Sequence, residues 1–79
     1  MKDTLNFIIT SIVDNPKKVE ILEKEEEGVI NFTIQVEQED IGKVIGKEGR
    51  IIRAIRNVMK IPAIKEGKRI NISLSDTAQ

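Results

Sequence analysis

The sequence predicts an α+β domain, with its helices grouped over one sheet, on three observations. Leu5, Ile8, Ile9, Ile12 and Val13 recur at i, i+3, i+4, i+7 and i+8, which is the spacing of one helix face. Ile30, Phe32, Ile34 and Val36 alternate with Asn31, Thr33 and Gln35, the period-two pattern of a half-buried strand. Ile51, Ile52, Ile55, Val58 and Met59 then restore a helical stripe. The resulting order is helix, strand, strand, short helix, helix, strand, and segregated elements of this kind form α+β domains.

Each element carries local signals. Asp3 is placed to cap the first helix, and Asp14-Asn15-Pro16 supplies its stop. A first strand of less regular pattern runs around Val19 to Lys24. Glu25 to Gly28 reads as the hairpin connection, with Gly28 suited to positive φ. Asp40 is placed to cap a short helix over Ile41 to Ile45, and Arg50 opens the long helix. Pro62 has no N–H for the carbonyl of Val58, so the long helix should kink or tighten there, or end near Lys60. Glu66-Gly67-Lys68 reads as a turn, and Ile70, Ile72 and Leu74 alternate along a last strand. Phe7 and Phe32 are expected in the core. With 79 residues the chain is one small domain over 1–75, with a frayed tail at 76–79.

Composition narrows the function. Cysteine, histidine and tyrosine are all absent, which removes thiolate chemistry, the commonest metal ligand and the commonest general base near neutral pH. No nucleophile–base pair or metal cluster is visible, so neither an enzyme nor a cofactor is expected. The first residues lack the charge and apolar run of a signal peptide, and no apolar stretch is long enough to span a membrane. A cytoplasmic protein without membrane contact is the expectation.

The zero net charge hides a division. Residues 1–40 hold four basic and ten acidic residues, a net −6, and residues 41–79 hold nine basic and three acidic, a net +6. Either one surface faces a polyanion, or the two halves simply attract each other.

The basic half opens with DIGKVIGKEGR, residues 40–50. Neither a P-loop nor a dinucleotide fingerprint fits its glycines: Glu48 stands where a P-loop needs Ser or Thr, and three residues separate Gly42 from Gly46. What remains is the GxxG Gly46-Lys47-Glu48-Gly49. At a glycine frequency of about 7%, such a pair arises by chance in about one chain in three of this length. Its context adds meaning, because the two glycines punctuate a joint between two helices. Glycines there allow a phosphodiester backbone to approach, and the N–H groups opening the second helix favour negative charge. Lys47 and Arg50 add positive charge, and Val44, Ile45 and Ile52, or part of that set, could line an apolar groove for unstacked bases. The plain alternative is a tight turn between packed helices. Such a turn needs one glycine rather than two glycines among three cations, which favours the binding reading.

The run IGKVIGKEGRIIRAIR resembles the signature of K homology (KH) domains, whose I-G-x-x-G-x-x-I core appears in variants such as V-I-G-K-x-G. In that family the GxxG loop clamps about four nucleotides of single-stranded RNA or DNA. Ile45, Gly46 and Gly49 match the most recognisable positions, and Lys47 and Glu48 fill the variable pair. Ile41-Gly42 resembles the upstream pair, and Arg50 and Arg53 the basic residues that open the following helix. The element order resembles the type II KH arrangement of bacterial proteins, which implies a three-stranded mixed sheet with helices on one face. The likeness is greatest to small stand-alone KH proteins of the KhpA type. That resemblance implies a cytoplasmic RNA-binding protein, an RNA chaperone or post-transcriptional regulator, that self-associates and pairs with a second KH-containing protein. The candidate RNA-binding set is Ile41, Gly42, Lys43, Val44, Ile45, Gly46, Lys47, Glu48, Gly49, Arg50, Ile52 and Arg53. Arg56 and Lys60 are expected to be solvated, and Lys65, Lys68 and Arg69 to solubilise a turn. Glu48 lowers the charge over Lys47-Glu48-Arg50 from +2 to +1, so modest phosphate affinity is expected. The competing reading is a dimerisation module of the same fold with little nucleic-acid binding, motivated by the apolar stripe of the long helix.

Overall fold

Alternation along the central strand organises the molecule. The computed structural model describes residues 1–75; the expected tail at 76–79 lies outside them. Strand β1 (Glu20–Glu26) pairs antiparallel with β2 (Val29–Gln35), from Glu20 opposite Gln35 to Glu26 opposite Val29. Strand β3 (Arg69–Leu74) pairs parallel with β2, from Val29 opposite Arg69 to Ile34 opposite Leu74. The sheet order is β1-β2-β3, a three-stranded mixed sheet as expected. Being central, β2 buries Ile30, Phe32 and Ile34, whereas β1 buries only Ile21. The hairpin turn is shorter than Glu25–Gly28. Glu27 and Gly28 alone make it, with φ of 53° and 79°, the doubly positive geometry that matches the twist of paired strands. Glu25 and Glu26 stay in the ladder because the exposed face of β1 tolerates charge.

The helices are α1 (Lys2–Ile12), α2 (Ile41–Ile45) and α3 (Arg50–Lys65), with short 3₁₀ turns at Pro16–Lys18, Gln38–Asp40 and Lys47–Gly49. They supply Leu5 and Ile9, Val44, and Ile52, Ile55 and Met59 to a core shared with β2 and with Ile72 of β3. None of the described helices is long and apolar enough to cross a membrane.

Several expectations change. Phe7 is 71% exposed rather than in the core. It stands two residues from Leu5 and from Ile9, about 200° around the helix from the former at 3.6 residues per turn, and so faces away from their stripe. Asp3 lies within the first turn of α1, and Met1 takes the cap position. There its charge complements the helix dipole without capping a donor. Helix α3 does not end near Lys60. It continues through Pro62 to Lys65, because only the Val58 carbonyl loses its partner and Ala63, buried one residue later, packs the last turn down. The helix closes at Gly67 (φ 68°), where Lys68 N–H reaches Ala63 O at 2.9 Å and Gly67 N–H reaches Ile64 O at 3.0 Å. The stripe of α3 also proves wider than the core it serves. Ile52, Ile55, Met59 and Ala63 are buried, whereas Ile51 and Val58 are 39% and 48% exposed.

Candidate nucleic-acid interface

Helix α2 is five residues long and stops where Gly46 takes φ 75°, ψ 172°, its N–H still bonded to Gly42 O at 2.8 Å. The next turn is unusually rich in left-handed backbone, with Glu48 at φ 57° and Gly49 at φ 73°. Gly49 N–H closes the turn on Gly46 O at 3.1 Å, and Arg50 N–H bonds Lys47 O. Gly46 is required twice over. Its φ penalises any side chain, and a Cβ there would stand 2.5 Å from Cγ1 of Ile51. Gly49 is required by its φ; a Cβ would lie 3.8 Å from Nη1 of Arg53, so that guanidinium hangs over the bare glycine. Among the described residues no side chain caps α3, and of its opening N–H groups that of Arg50 is taken by Lys47 O.

Glu48 and Arg50 form an ion pair at 3.2 Å, both exposed. The acid in the loop therefore has a specific partner, and the cation that opens α3 is partly occupied by it. Lys47 and Arg53 carry no ion pair among the described residues.

An apolar groove of about 390 Å³ runs beside this joint, lined by Ile41, Ile45, Leu74 and Ser75. Ile45, 37% exposed, turns toward it. Val44 and Ile52 do not take part: at 0% and 8% exposure they belong to the core. On so short a helix Ile41 and Ile45 share one face, and Val44 points down into the sheet. Leu74 and Ser75 are missing from the sequence-derived set. Alternation identified Leu74 as strand, but only the parallel return of β3 beside β2 brings it to α2. Gly42 is exposed and nothing packs within 4 Å of its Cβ position, so close packing within the domain is not its role.

Lys43 faces elsewhere. Its Nζ lies 3.1 Å from Asp14 Oδ2, and that hydrogen bond and charge raise its pKa. Next to it is a residue whose role sequence reasoning misread. Asp40 occupies the cap position of α2 without capping it. Its fully buried carboxylate instead accepts from Asp14 N–H (3.1 Å), Asn15 N–H (3.0 Å) and Asn15 Nδ2 (3.0 Å). Burial pushes this carboxyl up, but those donors and the Lys43 charge together outweigh burial and hold it below its ordinary value. Arg56 is not merely solvated either: its Nε donates to Ile72 O at 3.1 Å, on the open edge of β3.

A glycine joint with three positive-φ residues, cations beside it and an apolar groove alongside is the arrangement expected of a KH domain. The family model described as "KhpA/KhpB, KH domain" matches residues 2–74. The chain belongs to this KH-domain family. It is 46% identical to the RNA-binding protein KhpA of Clostridium acetobutylicum over 74 residues, which cover 94% of this chain and 99% of that protein. Identity to the RNA-binding protein KhpA of Clostridium perfringens is 45% over the same shares of the two chains. To that of Chlamydia caviae it is 38%, covering 96% of this chain and 97% of the relative. No solved structure matches. Within this KH domain the groove of Ile41, Ile45, Leu74 and Ser75 lies beside the glycine joint Gly46–Gly49.

Proposed function

We propose that this KH protein binds single-stranded RNA, with the strand's backbone passing over Gly46–Gly49 and its bases entering the groove of Ile41, Ile45, Leu74 and Ser75. The observation that carries this reading is the left-handed Gly49 beneath the Arg53 guanidinium, with Gly46 held against Ile51 and an apolar groove alongside. Lys47 and Arg53 supply charge to the phosphates, Arg50 joins them when Glu48 releases it, and Gly42 leaves α2 smooth for the strand. Relatives named RNA-binding proteins support it. With both aromatics off the groove, Phe32 in the core and Phe7 on the outer face of α1, bases are held by apolar contact and by hydrogen bonds to their edges rather than by ring stacking. A cytoplasmic role in RNA chaperoning or post-transcriptional control follows from this reading.

Lys47→Asp, with Glu48 retained, tests it. Binding of short single-stranded RNA should fall by about tenfold, and the wild-type affinity should fall with rising salt as phosphate contacts require. Equal binding by both proteins across a range of salt removes the clamp.

A second observation favours self-association on the α1 flank of α3, which meets the RNA face at Arg50. Ile8, Ile12, Ile51 and Val58 line an apolar groove of about 440 Å³ between α1 and α3, away from the β3 edge. Pairing with another copy, or with a second KH-containing protein, is compatible with RNA on the other flank.

A further inference from the structure

Helix α3 presents a third face, of which the RNA reading uses only Arg53 at its start. Arg53, Arg56 and Lys60 recur at i, i+3 and i+7, so they share one flank. Arg56 fixes where that flank points, because its Nε reaches Ile72 O on β3. β3 is an edge strand whose pairing with β2 uses Arg69 N–H, bonded to Gly28 O, and Ser75 N–H, bonded to Ile34 O. By the alternation of a parallel ladder, the peptide groups of Ile70, Ile72 and Leu74 are turned outward along the open edge. The groove at Leu74 is therefore one end of a longer surface. At the other end, about 13 Å away at about 3.3 Å per residue, a separate pocket of about 400 Å³ is lined by Lys60, Ile64, Lys68, Arg69, Ile70 and Val29.

This pocket combines an apolar floor with a cationic rim. Ile64 is 74% exposed in the monomer, an unusual placement for isoleucine. Lys60 and Arg69 form no ion pair among the described residues, while Lys68 holds Glu25 at 2.6 Å. The nearby end of α3 does not repel anions strongly, since Lys68 and Gly67 N–H satisfy its last carbonyls.

We infer that this pocket is a second nucleotide subsite, which takes the continuation of an RNA strand after it has crossed the glycine joint and followed the β3 edge. The inference rests on the RNA reading above and extends its footprint. Lys60 and Arg69 bind the phosphates, and Ile64, Ile70 and Val29 carry the base. Charge complementarity and continuity along one strand edge select RNA over a protein partner.

The test compares oligouridines of about four and about ten nucleotides by fluorescence anisotropy. Three proteins are measured: wild type, Lys60→Glu/Arg69→Glu, and Lys17→Glu/Lys18→Glu, which makes the same charge change far from the pocket. Wild type should bind the longer RNA about tenfold more tightly, with a salt slope steeper by about 0.7 for each added phosphate contact. The Lys60/Arg69 variant should lose that gain and keep its short-RNA affinity within about twofold, a range too small for a lost phosphate contact. The Lys17/Lys18 variant should keep both. Lys60→Gln/Arg69→Gln, a gentler change, should lose part of the gain if folding of the first variant is impaired. Equal gains in wild type and both Lys60/Arg69 variants overturn the subsite, as do equal losses in the two charge-reversal variants. Unchanged RNA binding with lost self-association assigns the pocket to a protein contact and overturns it too. If no length of RNA binds wild type, the RNA reading fails first and takes the subsite with it.

Discussion

Glu48 holds a backbone conformation that glycine or asparagine would adopt more easily. At φ 57° it occupies a backbone region that costs an ordinary L-residue about 1 kcal/mol and that asparagine tolerates better. Its carboxylate also holds Arg50 at 3.2 Å, where a phosphate would otherwise compete. Glu48→Asn should therefore do two things at once. It should raise the urea midpoint modestly, and it should tighten RNA binding by severalfold, because the charge over Lys47, residue 48 and Arg50 rises from +1 to +2. Anisotropy titrations at low and high salt check the second effect, which should shrink as salt rises. Asp40 acts on stability through a different route. Its pKa is depressed in the folded state, so its contribution is fully present above the unfolded-state value, near 3.9, and is lost as pH falls through the lower folded-state value. Acid unfolding of the wild type should steepen below about pH 4 on this account. Asp40→Asn should be less stable at neutral pH, because its amide cannot accept from Asp14 and both Asn15 donors, and should show a flatter acid limb. Neither role was legible in sequence. Asp40 reads locally as a cap, and its true partners lie 25 and 26 residues earlier.

At the scale of elements, α3 divides its circumference into three. Ile52, Ile55, Met59 and Ala63 face the sheet, Arg53, Arg56 and Lys60 face the β3 edge, and Ile51 and Val58 face α1. Periodicity alone made Ile51 and Val58 indistinguishable from core, since a residue one step from a buried one is only about 100° away. What separates them is how much of α3 the sheet can cover, a tertiary quantity. Exposed in a groove with Ile8 and Ile12, Val58 should report on association without disturbing the fold. Val58→Glu is expected to shift sedimentation toward monomer while leaving thermal unfolding of the monomer, and short-RNA affinity, near wild type. Strand β2 was legible by contrast up to Gln35, with Val36 buried just past its end, because a central strand imposes strict alternation on its own sequence. Pro62 shows the reverse case: a strong local breaker sits in a helix whose last turn is held by Ala63 and closed at Gly67.

Across the whole molecule, the division of charge between the two halves has two physical outlets. Lys68 with Glu25 and Lys43 with Asp14 join basic and acidic halves directly, so part of the asymmetry is internal attraction. Lys47, Arg53, Lys60 and Arg69 remain without ion pairs among the described residues and are spread from the glycine joint to the far end of β3. The glycine joint could be read from sequence because Gly46, Gly49 and the flanking helices are contiguous. The groove could be read only in part, since Leu74 and Ser75 reach Ile41 and Ile45 through the parallel crossover that folds the chain. The most direct measurement is ultraviolet crosslinking of the protein to RNA in cells, followed by mapping of the attached peptides. Attachment within residues 41–53, or at Leu74 and Ser75, is the expected result. Crosslinks confined to α1 and β1, with none at the joint or along the β3 edge, would contradict an RNA path over Gly46–Gly49.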